Sequence, residues 1–197
     1  MQNIETTGTS HEIYLFIDLL VCNLREIVEA VVEGRDAFVI MPTGGGKSLC
    51  YQLPALITKG TTVVISPLIA LMQDQVAQLE QNGIRATLLN STLDRDEAFD
   101  RERRALQGEY DLIYLAPERL MSTTGSRLLR QLDVARFAID EAHCVSEWGH
   151  DFRPEYRQLG QLRARMPDVP IMALTATMAA DRSEEALWVA KNQGQKD

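Results

Sequence analysis

One eight-residue stretch constrains this chain more than any other. Residues 41–48 read MPTGGGKS, with the apolar run Ala37–Met41 before them and the apolar stretch Leu49–Ile57 after them. A short, continuously apolar run predicts a strand buried on both faces, and the longer stretch predicts a helix. Three glycines in a row, Gly44, Gly45 and Gly46, let the backbone turn its N–H groups towards one point, and the N-terminus of the following helix adds positive potential there. Such a turn cradles a polyphosphate. Pro42 and Thr43 form its first limb, Lys47 has the length to reach β and γ phosphates, and Ser48 can place its hydroxyl on Mg²⁺, so ATP with Mg²⁺ is the expected ligand. The strict pattern starts with glycine, and Met41 stands there instead. An ordinary glycine-rich turn with a solvated lysine would need neither the strand before it nor the helix after it.

The same alternation continues along the chain. Further apolar runs lie at Thr61–Ser66, Ala86–Leu89, Asp111–Ala116, Arg136–Asp140 and Pro170–Leu174. Between them, Leu68, Leu71, Met72, Gln75, Val76 and Leu79 share one helical face, as do Tyr156, Leu159, Leu162 and Arg163. Strand–helix alternation predicts an α/β fold, a mostly parallel doubly wound sheet flanked by helices. Ligands on such sheets sit beyond the carboxyl ends of the strands, where each chemically suggestive motif of this chain falls. Ser122–Ser126 reads as the most loop-like stretch, and Arg101, Glu102, Arg103 and Arg104 read as a solvated helix face.

A phosphate cradle with magnesium needs a carboxylate opposite it. FAIDEAH at 137–143 offers one, with Asp140 and Glu141 at the end of a predicted strand. Asp140 is the expected Mg²⁺ carboxylate, acting through water, and Glu141 the group that orients or deprotonates the attacking water. Lys47, Asp140 and Glu141 are thus the candidate catalytic residues. His143 is too far along to be the same base and is expected to couple the site to its surroundings. Without the cradle upstream, two carboxylates after a strand would read as solvated surface charge.

Composition bounds the partners. A net charge of −8 argues against a protein coated in positive charge for nucleic acid, yet leaves room for a local basic groove. Cys22, Cys50 and Cys144 are far apart and form no C-x-x-C pair, which argues against a zinc site or a disulfide framework and fits a reducing cytoplasm. The apolar run Ile13–Cys22, interrupted by Asp18, is too short to span a bilayer, and Met1–Glu12 carries no Lys or Arg, so a secretory signal and a membrane partner are not expected.

These motifs together resemble superfamily 2 helicases, and specifically the RecQ family. The string MPTGGGKSLCYQLPAL at 41–56 is similar to that family's first motif, SPLIALMQDQV at 66–76 and APERL at 116–120 to nucleic-acid-contacting motifs, DEAH at 140–143 to its magnesium motif, and LTAT at 174–177 to the motif that links hydrolysis to movement. The most specific match is CVSEWGHDFRPEY at 144–156, which resembles the aromatic-rich loop of RecQ helicases; DEAD or DEAH box RNA helicases lack it. The resemblance runs from about residue 25 to residue 177, between a divergent segment 1–24 and a divergent tail 178–197. It implies a RecA-like motor domain of an ATP-dependent DNA helicase, moving 3′ to 5′ in recombination and repair, with single-stranded or forked DNA as partner. It also implies DNA contact or coupling through Ser66, Pro67, Arg119, His143, Trp148, His150, Phe152, Arg153, Thr175 and Thr177. Trp148 and Phe152 suit base stacking without sequence readout, and His150 and Arg153 offer donors, although tryptophan and phenylalanine at such spacing also fill cores. Thr175 and Thr177 equally suit a helix cap.

Three departures qualify the resemblance. Leu24 falls where the family carries its adenine-reading glutamine, the pattern fades after Thr177, and the family's second RecA-like domain with its arginine finger is expected to be missing from this chain. Two other readings therefore stand beside the helicase motor: a nucleotide- or DNA-binding module with weak turnover, and part of an RNA helicase.

Overall fold

The computed structural model describes residues 24–90, 92–145, 156 and 159–176. Six strands form one sheet in the order β1-β6-β5-β2-β4-β3, and every neighbouring pair is parallel. The strands are β1 (Ala37–Ile40), β2 (Thr61–Ile65), β3 (Ala86–Leu89), β4 (Leu112–Leu115), β5 (Val134–Ile139) and β6 (Ile171–Thr175). Each lies within a residue or two of its apolar run, because only a chain segment apolar on both sides can sit between two helical layers. Helices α1 (24–32), α2 (Leu49–Ile57), α3 (Ile69–Gln81), α4 (Arg95–Leu106), α5 (Pro117–Met121), α6 (Thr123–Leu129) and α7 (Gly160–Arg165) occupy the connections.

Alternation along each strand divides the core in two. Val63, Ile65, Ile113, Leu115, Phe137 and Ile139 face one layer, with Leu120, Leu128 and Leu159. Val64, Leu112, Tyr114, Ala138 and Leu174 face the other, with Val31, Cys50, Tyr51 and Met72. No helix among the described residues is long and apolar enough to cross a membrane.

Two local expectations are corrected. Ser122–Ser126 is not a loop: Ser122 caps α6 by accepting a hydrogen bond from the Gly125 amide at 3.0 Å. The Ser/Thr/Gly cluster that reads as a turn is a helix start, held against α5 so closely that a Cβ on Gly125 would run into the Arg119 carbonyl. Nor is the charged run of α4 simply solvated. Arg101 reaches inward to donate to the Leu88 carbonyl of β3 at 2.9 Å, and Glu102 pairs with Arg119.

Candidate functional site

The carboxyl ends of β1, β2, β4, β5 and β6 bring the predicted motifs to one edge of the sheet. The loop 41–48 leaves β1, is tied to β6 by the Met41 amide donating to the Thr175 carbonyl at 3.1 Å, and enters α2. Gly44 and Gly46 have φ of 80° and 85°, backbone that a side chain would strain. Between them, a Cβ on Gly45 would lie 2.9 Å from the Pro42 carbonyl oxygen, which accepts the Gly45 amide. The loop is therefore a closed turn in which Gly45 has no room for a side chain and Gly44 and Gly46 hold backbone that disfavours one. Lys47 is half-buried and donates to the Met41 carbonyl at 3.3 Å, so its ammonium lies folded back over the turn it would serve. Ser48 spends no side-chain hydrogen bond on capping α2. Behind the loop, Cys50 is buried 3.8 Å from the Met41 sulfur, and burial pushes its thiol up to about 11, which makes it inert.

Asp140 follows β5, with β6 between it and the loop 41–48. It is 5% exposed, and burial pushes its carboxyl up to about 6; the neighbouring Glu141 charge adds to the rise, whereas the Glu141 amide, Lys47 and His143 oppose it. The Glu141 amide donates to Asp140 Oδ1 at 3.0 Å. Beneath lie two buried tyrosines stacked edge to face, Tyr51 and Tyr114, held by Gln75 and Gln52. Burial penalises the ionised form of this carboxylate, and a cation bound beside it would offset that penalty. Among the described residues no cluster of three or more Asp, Glu, His or Cys could hold a metal unaided. Ser48 and Asp140 offer oxygen donors of the kind Mg²⁺ takes, one or two from protein together with phosphate and water.

Glu141 is the one non-glycine residue with positive φ among the described residues, at 51°. Its carboxylate lies 3.2 Å from His143 Nδ1, and that nitrogen also lies 3.2 Å from Thr175 Oγ1 at the end of β6. Glu141, His143 and Thr175 thus form one chain of contacts across two strand ends.

The other expected contacts are less uniformly placed. Ser66 is buried and its hydroxyl finds no partner among the described residues, while Pro67 is partly exposed. Arg119 follows β4 and is engaged by Glu102, with its Nε buried and unpartnered among the described residues. Leu24 packs with Ile27 against the core under α1 and carries no group that can read a base. Trp148, His150, Phe152, Arg153 and Thr177 lie outside the described residues, as do residues 1–23 and 178–197. Two contributors escaped the sequence reading. Glu102 looked like one more surface charge, and Tyr156, 16 residues from Asp140, donates its hydroxyl to the Asp140 carbonyl at 3.0 Å; no local spacing signals either contact.

Comparison with known proteins places this arrangement. The family described as DEAD/DEAH box helicase matches residues 24–186. An ATP-dependent DNA helicase RecQ of Haemophilus influenzae is 53% identical over 153 residues, 78% of this chain and 25% of that protein. Its counterpart in Bacillus subtilis is 54% identical over 154 residues, 77% of this chain and 26% of that protein. The chain thus spans about a quarter of the length of these curated relatives. Among solved structures, a hypothetical ATP-dependent RNA helicase from Sulfolobus tokodaii superposes with a TM-score of 0.66 at 17% identity, covering 90% of this chain and 54% of that one. The DUF1998 helicase MrfA, bound to DNA, superposes at 0.60 and 20% identity, over 79% of this chain and 22% of that one. At such identities these two structures speak for the fold alone.

Proposed function

Because the chain belongs to the DEAD/DEAH box helicase family, we propose that it is the ATP-binding motor domain of a DNA helicase of RecQ type, hydrolysing ATP while it contacts single-stranded or forked DNA. The observation that carries this reading is the closed loop 41–48 after β1 on the same sheet edge as the buried Asp140 and the partly buried Glu141 after β5, one strand away. In this reading the amides of 44–47 and the Lys47 ammonium bind the β and γ phosphates, and Lys47 leaves the Met41 carbonyl to do so. Ser48 and Asp140 would hold Mg²⁺, which would supply neutralisation of charge on the phosphate oxygens. Glu141 takes a proton from the water that attacks the γ phosphorus, the bond to the β–γ bridging oxygen breaks, and ADP and phosphate result. His143 and Thr175 tie the Glu141 carboxylate to the end of β6, so movement of that strand end is felt at the base.

Lys47→Ala is expected to weaken ATP binding at least tenfold, since it removes the mobile cation of the loop. Titration calorimetry with ATP and Mg²⁺ checks this; unchanged affinity would remove the phosphate assignment and with it the motor reading.

DNA rather than RNA is favoured by the likeness to RecQ proteins and by the string 144–156. Within this reading Arg119 contacts a backbone phosphate once it lets go of Glu102, because a carboxylate and a phosphate compete for one guanidinium. Glu102→Gln should therefore tighten single-stranded DNA binding and steepen log affinity against log salt by about one unit. Fluorescence anisotropy over a salt series measures both, and an unchanged slope would mean that Arg119 is bound up in structure.

A further inference from the structure

The chain leaves one backbone group at the centre of the site without its ladder partner. β2 and β5 pair in parallel with Ile65 opposite Ile139, and the Asp140 amide donates to the Ile65 carbonyl at 2.8 Å. In a parallel ladder a residue that donates to position j−1 accepts from position j+1. The Asp140 carbonyl would therefore accept from the amide of residue 67, and residue 67 is proline, which has no N–H. A buried carbonyl without a donor is costly, so some other group must satisfy it. The Tyr156 hydroxyl does so, donating at 3.0 Å from a ring that is 1% exposed and packed with Phe137, Ile139 and Leu159.

The consequence falls on the next residue. The Asp140 carbonyl belongs to the peptide group that joins Asp140 to Glu141, and Glu141 holds φ at 51°, a conformation that non-glycine residues disfavour. With a hydrogen bond on its carbonyl and the Asp140 carboxylate on its N–H at 3.0 Å, that peptide plane is held from both sides. With φ held at 51°, fixing the plane sets the direction in which the Glu141 side chain leaves the backbone. We propose that Tyr156 is a positioning residue for ATP hydrolysis: its hydroxyl stands in for the amide that Pro67 lacks, clamps the Asp140–Glu141 peptide, and so aims the Glu141 carboxylate. This rests on the reading of Glu141 as the base, on which Tyr156 acts through the backbone.

Tyr156→Phe keeps the ring in its packing and deletes only the donor. In the full-length protein, assayed without nucleic acid, we expect kcat for ATP to fall by about 5–30-fold with KM for ATP unchanged, the pattern of an interaction that matters in the transition state alone. The decisive variant is Pro67→Ala in the Tyr156→Phe background. It returns an N–H to position 67, where it can donate to the Asp140 carbonyl, and most of the lost kcat should come back. General destabilisation by loss of a buried hydroxyl would not be repaired in this way. Full kcat in Tyr156→Phe would overturn the proposal, and so would a loss that Pro67→Ala leaves unrepaired. Glu141→Gln run alongside tests the underlying reading separately: normal turnover there removes the base assignment, whereas its loss beside an unimpaired Tyr156→Phe removes the clamp alone.

Discussion

Glu141→Gln is expected to leave ATP and Mg²⁺ binding in place and to slow hydrolysis in the full-length protein by about 10²–10⁴-fold, the usual worth of a positioned general base. The side chains have nearly the same shape, so the contact with His143 and the positive φ of Glu141 can persist. What disappears is the oxygen able to take a proton from water. Binding and chemistry are read separately, by calorimetry with a non-hydrolysable ATP analogue and by single-turnover phosphate release. Glutamine at 141 with undiminished turnover would mean that another group activates the water.

Asp140→Asn should have two opposite effects, both large. It removes the carboxylate proposed to hold Mg²⁺, so Mg²⁺-dependent nucleotide binding should collapse. It should also make the nucleotide-free protein more stable at neutral pH. The folded carboxyl titrates at about 6 against an ordinary value of 3.8, chiefly because it is buried. A raised acid pKa means that the folded state binds the proton more tightly than the unfolded chain. The stability this provides is fully present below the unfolded value, near pH 4, and is lost as pH rises through about 6. Near pH 7.5 the wild type therefore carries an ionised buried carboxylate costing about 2–3 kcal/mol, at about 1.4 kcal/mol per pKa unit, and asparagine does not. Urea unfolding in chelator from pH 4 to 8 should show Asp140→Asn gaining on the wild type as pH rises, with the difference closing towards pH 4. Parallel pH profiles for the two proteins would show that the burial of Asp140 carries no such penalty. Stability given up at a residue kept for its chemistry is a mark of a functional site.

Local chemistry settled a good deal of this protein. The triple glycine before Lys47 and Ser48, with strand before and helix after, fixed a tight turn between β1 and α2 whatever the rest of the chain did, because that turn follows from backbone freedom over a few residues. Continuous apolar runs fixed six strands, five of them largely buried and β1 at the sheet edge with Ile40 exposed, since period and composition report burial directly. FAIDEAH placed two carboxylates at a strand end for the same reason. The start of α6 at Ser122 was misread because serine, threonine and glycine serve turns and helix caps equally, and packing against α5 decides between them.

Tertiary structure alone decided the rest. Nothing within a few residues of Asp140 gives the strand order that sets β5 beside β2 and one strand from β1 and the loop 41–48, and that order buries its carboxylate and raises its pKa. Glu102 became the partner of Arg119 because α4 and α5 meet in space, across 17 positions of sequence. Pro67 carries an evident meaning locally, a missing N–H, yet which carbonyl goes without that donor depends on the register of β2 against β5. The ring that answers it, Tyr156, arrives from a different part of the chain. Hydrogen bonds and desolvation act over distances of a few ångströms, so they report neighbours in space, and a sequence read by itself contains only neighbours along the chain.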